Sequence, residues 1–148
     1  MGPWTRNQPE CTLLSVMTRR TCFALAAAAP LLVAQAEDAA RKAAEKWLAF
    51  IDQAKYKDAY KQSSQHGRAQ ATVEEWEPQI RAMREAAGDM QQRNFTSAKA
   101  TKSMAGAPDG DYMVLEYSTA FAKKAKAVET LMLSREGGNW KAAGYFIR

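Results

Sequence analysis

Sulfur chemistry is nearly missing from this chain. Two cysteines, Cys11 and Cys22, stand among 148 residues, too few for a disulfide framework. There is one histidine, His66, so a zinc site would lack its usual nitrogen and sulfur ligands, and no metal is expected. His66 itself, beside Gly67 in a polar stretch, reads as solvated. No apolar run reaches the ~18–20 residues of a membrane-spanning helix. A glycine-rich phosphate loop is lacking, because the glycines fall at hairpins and helix ends. The calcium-loop spacing is also lacking, and Asp109-Gly110-Asp111 reads as turn chemistry. Ser63-Ser64 has neither a nucleophile-elbow context nor a His–acid pair. The charge excess is small, +5, with both signs mixed along the helical segments, which argues against a nucleic-acid partner. No cofactor is implied. What remains is an ordinary globular balance, 47% hydrophobic and 25% charged, sized for one domain.

The first quarter carries an address. From Met17, Arg19 and Arg20 form a positive region, and Phe23 to Val33 is an apolar core. Ala34-Gln35-Ala36 places small residues where a signal peptidase reads, and Glu37-Asp38 restores charge. These are the parts of a secretory signal peptide with cleavage between Ala36 and Glu37. The expectation is a start at Met17 with 1–16 an over-extended leader, a signal peptide over 17–36, and a single domain over 37–148. The destination is the periplasm or the exterior, and Thr18-Arg19-Arg20 leaves the general and twin-arginine routes both open. Removing Arg6, Arg19, Arg20 and Glu10 with the leader lowers the net charge from +5 to +3. Both cysteines leave too, so stability must come from core packing.

The 37–148 part reads as helices, then strands. Ala40, Ala44, Trp47, Leu48 and Ile51 recur at three- and four-residue steps, predicting an amphipathic helix over 38–53. A second, short helix is predicted over 55–64, followed by a break at Gln65-His66-Gly67-Arg68. Thr72 and Glu75 match a capping box, with Trp76, Ile80, Met83 and Ala87 at helical spacing and Gly88 as the stop. Beyond Gly88 the period falls from 3.6 to 2. Strands are predicted over 94–102, 112–121, 127–135 and 139–148, with turns at Pro108-Asp109-Gly110 and Gly137-Gly138. The fold class is therefore α+β, with N-terminal helices packed on a curved four-stranded antiparallel sheet and a concavity between the layers.

Four segments carry a family likeness: Ala44-Glu45-Lys46-Trp47-Leu48, Ala59-Tyr60-Lys61-Gln62-Ser63-Ser64, Gly106-Ala107-Pro108-Asp109-Gly110-Asp111-Tyr112, and Trp140-Lys141-Ala142-Ala143-Gly144-Tyr145-Phe146-Ile147. Together they resemble the domain-of-unknown-function family 4019, small exported bacterial proteins. The resemblance implies a cystatin-like cone, as in nuclear transport factor two, and implies no activity.

Glu129 is the residue that breaks its local rule. With Phe121 facing Ala127, Thr119 would face Glu129, Tyr117 would face Leu131, and Leu115 would face Leu133. Closing the next hairpin with Glu136 against Asn139 would put Gly144 beside Leu131 and Phe146 beside Glu129. The concavity would then be lined by Met113, Tyr117, Thr119, Glu129, Leu131, Trp140 and Phe146. It would take a small apolar or amphipathic ligand. The main expectation is a binding or interaction module of the envelope. The alternative is a small isomerase or hydrolase with Glu129 as acid or base and Tyr117 or Tyr145 as donor, since a carboxylate among apolar groups has its charged form disfavoured. Fold likeness to a steroid isomerase is the analogy behind it. The plainer reading bonds Glu129 to Thr119 or a lysine. Trp47, Trp76 and Trp140 read as core, and Lys123, Lys124 and Lys126 as a solvated hairpin tip open to an anion. Val114, Met132, Val128, Tyr145 and Ile147 are predicted to form a second apolar face, a surface for another envelope protein or for a homodimer.

Overall fold

The computed structural model describes residues 28–148. Met17, Arg19, Arg20 and both cysteines lie outside the described residues. Four helices, α1 (Ala28–Asp52), α2 (Tyr56–Gln62), α3 (Gln65–Gln70) and α4 (Val73–Ala87), precede four strands, β1 (Met90–Thr101), β2 (Tyr112–Phe121), β3 (Ala127–Glu136) and β4 (Asn139–Ile147). The strands form one open antiparallel sheet in the order β1-β2-β3-β4. The α+β arrangement is the predicted one.

The predicted amphipathic stripe of α1 makes the main layer contact. Ala40, Ala44, Trp47, Leu48 and Ile51 are all buried, against Leu115, Tyr117, Leu131, Leu133, Ala142 and Tyr145 of the sheet. The helix starts ten residues earlier than the pattern predicted and runs without a break through Ala36 and Glu37. Its burial does not begin so early. Residues 32–35 are exposed, and from residue 32 onward Ala40 is the first buried side chain. The helix α4 begins as predicted: the Glu75 carboxylate accepts from the Thr72 amide at 2.9 Å and from its hydroxyl at 3.0 Å. These two bonds, the backbone one first, hold the Glu75 carboxyl below its usual range.

The segment predicted as a break is the short helix α3. The Gly67 amide donates to Ser64 Oγ at 2.9 Å, and the Ser64 amide donates to the Ala142 carbonyl at 2.7 Å. Gly67 serves close approach: a Cβ there would lie 3.2 Å from the Ala143 carbonyl oxygen. Helix α3 is thereby pressed onto the edge strand β4.

Two pairings differ from the predicted register. In the β2–β3 hairpin Thr119 faces Ala127, Tyr117 faces Glu129 and Leu115 faces Leu131, a shift of two residues. The cause is the hairpin tip, which is drawn onto the end of α4. The Ala122 amide donates to Asp89, the Lys123 amide to Ala87, and Lys123 Nζ to the Glu85 carbonyl. A two-residue shift keeps every side chain on its face. The second difference does not. Leu133 faces Ala142 but Met132 faces Gly144, so Ala143 is an extra residue in β4. Beyond it the alternation is inverted. Leu131 faces Tyr145, Thr130 faces Phe146 and Glu129 faces Ile147.

Candidate functional site

The inverted end of β4 corrects two expectations at once. Phe146 does not line the concavity: it points outward and is 51% exposed. Tyr145 and Ile147 do not belong to the outer apolar face, since both pack inward. Met113, Tyr117, Thr119, Glu129 and Leu131 do share the inner face, but they are buried there, and Trp140 is half-buried against the same core. The predicted open concavity at these residues is instead filled with side chains.

At the filled centre lies a polar cluster built from six elements. Glu129 of β3 is fully buried. Its Oε2 accepts from Arg93 Nε of β1 at 2.5 Å and from Thr119 Oγ1 of β2 at 2.6 Å. Its Oε1 accepts from Arg93 Nη2 at 3.1 Å and from the Tyr145 hydroxyl of β4. Arg93 also grips Asp52 at the end of α1, with Nη1 to Oδ2 at 2.8 Å and Nη2 to Oδ1 at 3.0 Å. Arg84 of α4 completes the cluster. Its Nη2 lies 3.1 Å from Asp52 Oδ1 and its Nη1 lies 3.6 Å from Glu129 Oε1. The Arg84 guanidinium also stands over the Phe121 ring, 4.8 Å from its centroid.

Two carboxylates thus meet two guanidinium groups, and the cluster is neutral overall. Such a quartet is costly to desolvate and persists because its geometry is largely satisfied. Burial opposes the Arg93 charge, but the hydrogen bonds to Asp52 and Glu129 outweigh it and raise its pKa above the ordinary value. Burial, then the Glu129 charge, pushes the Tyr145 hydroxyl well up. Tyr117 is pushed up to about 12, by burial first and the Glu45 charge second. Its hydroxyl is buried and finds no hydrogen-bond partner. Of the two tyrosines named as donors, only Tyr145 reaches Glu129.

The arrangement holds elements together more readily than it performs acid–base chemistry. Both Glu129 oxygens are already engaged by two donors each, and the carboxylate is fully buried. Sequence reasoning found Glu129, Thr119 and Tyr145 and missed Asp52, Arg84 and Arg93. The missed residues did leave a signal. Arg84 lies one turn beyond Ile80 on the apolar face of α4, and Arg93 lies two before Phe95 on the inward side of β1. Asp52 puts a negative charge at a helix C-terminus, where the helix dipole disfavours it without cationic partners.

A family model described as "Protein of unknown function (DUF4019)" matches residues 43–145. The chain belongs to the DUF4019 family. No curated protein matches it. In this DUF4019 domain all six cluster residues fall inside the matched span.

Two hollows accompany the cluster. One is a cavity of about 30 Å3 beside Trp47, Tyr60, Trp76 and Tyr145, with room for about one water molecule. The rings bordering it pack on one another: Trp47 lies 5.5 Å from Tyr145 and 6.3 Å from Trp76, both edge-on. Trp47 Nε1 donates to the Ala59 carbonyl at 2.9 Å and to Ser63 Oγ at 3.1 Å. The other is a groove of about 510 Å3 at the β2–β3 hairpin-tip end of the sheet, lined by outward-facing residues of β1, β2 and β3 together with Thr119, Ala127 and the tip itself. His66 stands apart from both, its Nε2 at 3.4 Å from the Gln70 amide nitrogen. Among the described residues, no group of three or more His, Cys, Asp or Glu is placed to hold a metal ion. No helix there is long and apolar enough to cross a membrane.

Proposed function

We propose that this DUF4019 chain is an exported interaction module that binds another protein through the outer face of its sheet. The observation that carries the reading is the placement of Phe146. It is 51% exposed on a β-sheet, near Val128 at 39%, while inside the Glu129 carboxylate is already held by Arg93, Thr119 and Tyr145. Val114 and Met132 lie on the same face, and Met132 extends its methyl group over Gly144. A large aromatic left outside, beside mixed polar groups, is the composition of an interface core with a polar rim.

Export is part of the proposal. Cleavage after Ala36 would leave every α1 residue described as buried in place, because among residues 32–52 the first buried is Ala40. The family match begins at residue 43, beyond the same point. N-terminal sequencing of the protein from the envelope fraction is expected to begin at Glu37. Retention of the leader on the envelope protein would end that part of the reading.

The interaction itself is tested by photo-crosslinking in cells. A photoreactive phenylalanine derivative at position 146 is expected to capture a discrete protein partner, and the same group at Lys57 on α2 is not. Equal capture from both positions, or none from 146, overturns the reading. A captured second copy with a concentration-dependent doubling of the native mass would identify the partner as the chain itself. A retained adduct of a few hundred daltons, seen by native mass spectrometry, would instead favour a small ligand.

A further inference from the structure

The outer face resolves into cross-strand rows with different chemistry. Ser97, Glu116, Thr130 and Phe146 form one row. Lys99, Val114, Met132 and Gly144 form the next row on one side. On the other side, Asn94 faces Ser118, Ser118 faces Val128, and Val128 exchanges both backbone hydrogen bonds with Arg148. Gln92 and Ala120 face each other one step further out. The groove of about 510 Å3 is bounded by these last two rows, with Lys126 on its rim. Its volume falls within the ~300–1,000 Å3 of ligand clefts.

We infer that this groove seats an extended acidic segment of a partner protein. The inference rests on the proposed use of the outer face and names the chemistry of the partner. Three features carry it. First, the groove runs from β1 across β2 and β3 to Arg148, which pairs with Val128 just past the end of β4, so at ~4.8 Å per strand spacing it runs about 14 Å, the length of about four extended residues. Second, its charged lining is of one sign. Lys126 and Arg148 border it and no Asp or Glu side chain does. Lys126 forms no ion pair among the described residues, and Arg148 spends one nitrogen, Nη2, on Glu116 Oε1 at 2.8 Å and Thr130 Oγ1 at 3.1 Å. Third, Gln92, Asn94 and Ser118 place amide and hydroxyl groups along the floor and wall, able to pair with a peptide backbone. Val128 joins the groove to the exposed Phe146 row, so an acidic segment and an adjoining apolar contact fit one partner.

The hairpin lysines divide accordingly. Lys123 is committed to the Glu85 carbonyl at the end of α4, whereas Lys126 faces the groove. Charge of one sign at such a rim steers association and loses force as salt rises.

The test uses the full exported protein, isotope-labelled, and three probes: a capped hexaglutamate peptide, a capped hexaglutamine peptide and free glutarate. Hexaglutamate is expected to shift the amide signals of Gln92, Asn94, Ser118, Lys126 and Val128 saturably. Hexaglutamine is expected to shift them weakly. Lys126→Glu is expected to weaken hexaglutamate binding about tenfold, and Lys57→Glu to leave it unchanged. The fold of each variant is read from the same spectrum. An unmoved groove overturns the inference, and so does equal weakening by both variants. Binding of glutarate as tight as that of the peptide overturns it in favour of a small-anion site. A crosslink from position 146 with an unmoved groove overturns the acidic segment alone and leaves the interaction face standing. Failure of both measurements overturns both readings.

Discussion

The inner and outer faces of this sheet come from the same alternating strands and have opposite fates. The inner face meets the helices, fills its space, and consumes even its charged groups in pairing. Glu129, Arg93, Thr119 and Tyr145 satisfy one another there. The outer face leaves Phe146 and Val128 in solvent beside Lys126 and Arg148. A buried charge beside open space would point to chemistry; a buried charge with every oxygen occupied points to cohesion. The place to look for function is therefore the face with unspent contacts.

The sharpest way to break the contrast is to remove one inner charge. Arg93→Met takes from Glu129 its closest guanidinium, leaves it only Arg84 at 3.6 Å as a cationic partner in the cluster, and detaches β1 from α1. Chemical denaturation should show a loss of about 3–5 kcal/mol. Adding Glu129→Leu to that variant should recover part of the loss, which a pair of independent sites would not do. A loss under about 1 kcal/mol for Arg93→Met would mean that the inner face does not depend on the cluster.

Alkali probes the same interior more gently. Tyr117 and Tyr145 both keep their protons longer when folded than when unfolded. Below pH about 10 neither state ionises them. Above it the unfolded chain sheds protons first, so stability falls as pH rises. For Tyr117 the fall runs from about 10 to about 12, and for Tyr145 it continues beyond. The combined loss by the top of that window is on the order of 2 kcal/mol or more, read as the denaturation midpoint against pH.

Tyr117→Phe sharpens the comparison from the other side. Its hydroxyl is buried without a partner. Removing it should raise stability at neutral pH by about 0.5–1 kcal/mol and flatten the alkaline fall. A destabilised variant would show that the hydroxyl has a partner, such as an ordered water. The smallest expected effect is on the outer face. Phe146→Ser should leave stability within about 0.5 kcal/mol in thermal unfolding. It should nevertheless prevent assembly with the partner captured from position 146, measured by the mobility of the native complex.

Much of the fold could be read before any coordinates. The change of period at Gly88, the Thr72–Glu75 cap and the Gly137-Gly138 turn each have a local cause, and local causes leave local traces. Glu129 was conspicuous because one polar residue interrupts an apolar alternation. What stayed hidden was long-range. Arg84 and Arg93 announce themselves only as charges on apolar faces, and no spacing rule joins residues from six separate elements. Gly67 was read as a breaker because its use, approach to the Ala143 carbonyl, depends on a strand more than seventy residues later. The bulge at Ala143 was hidden for the same reason: Ala142-Ala143-Gly144 carries no signature of an extra residue, and helix α3 docks at that position.

That bulge has a consequence for heredity. One codon sets the phase of everything downstream of it. Deleting Ala143 would exchange the duties of Tyr145 and Phe146 without altering either, turning a core position into a surface one and the reverse. Position 146 would then answer to the packing of the core, and position 145 to solvent or a partner. The length of this short stretch, more than the identity of its residues, sets which side of the strand each later residue serves.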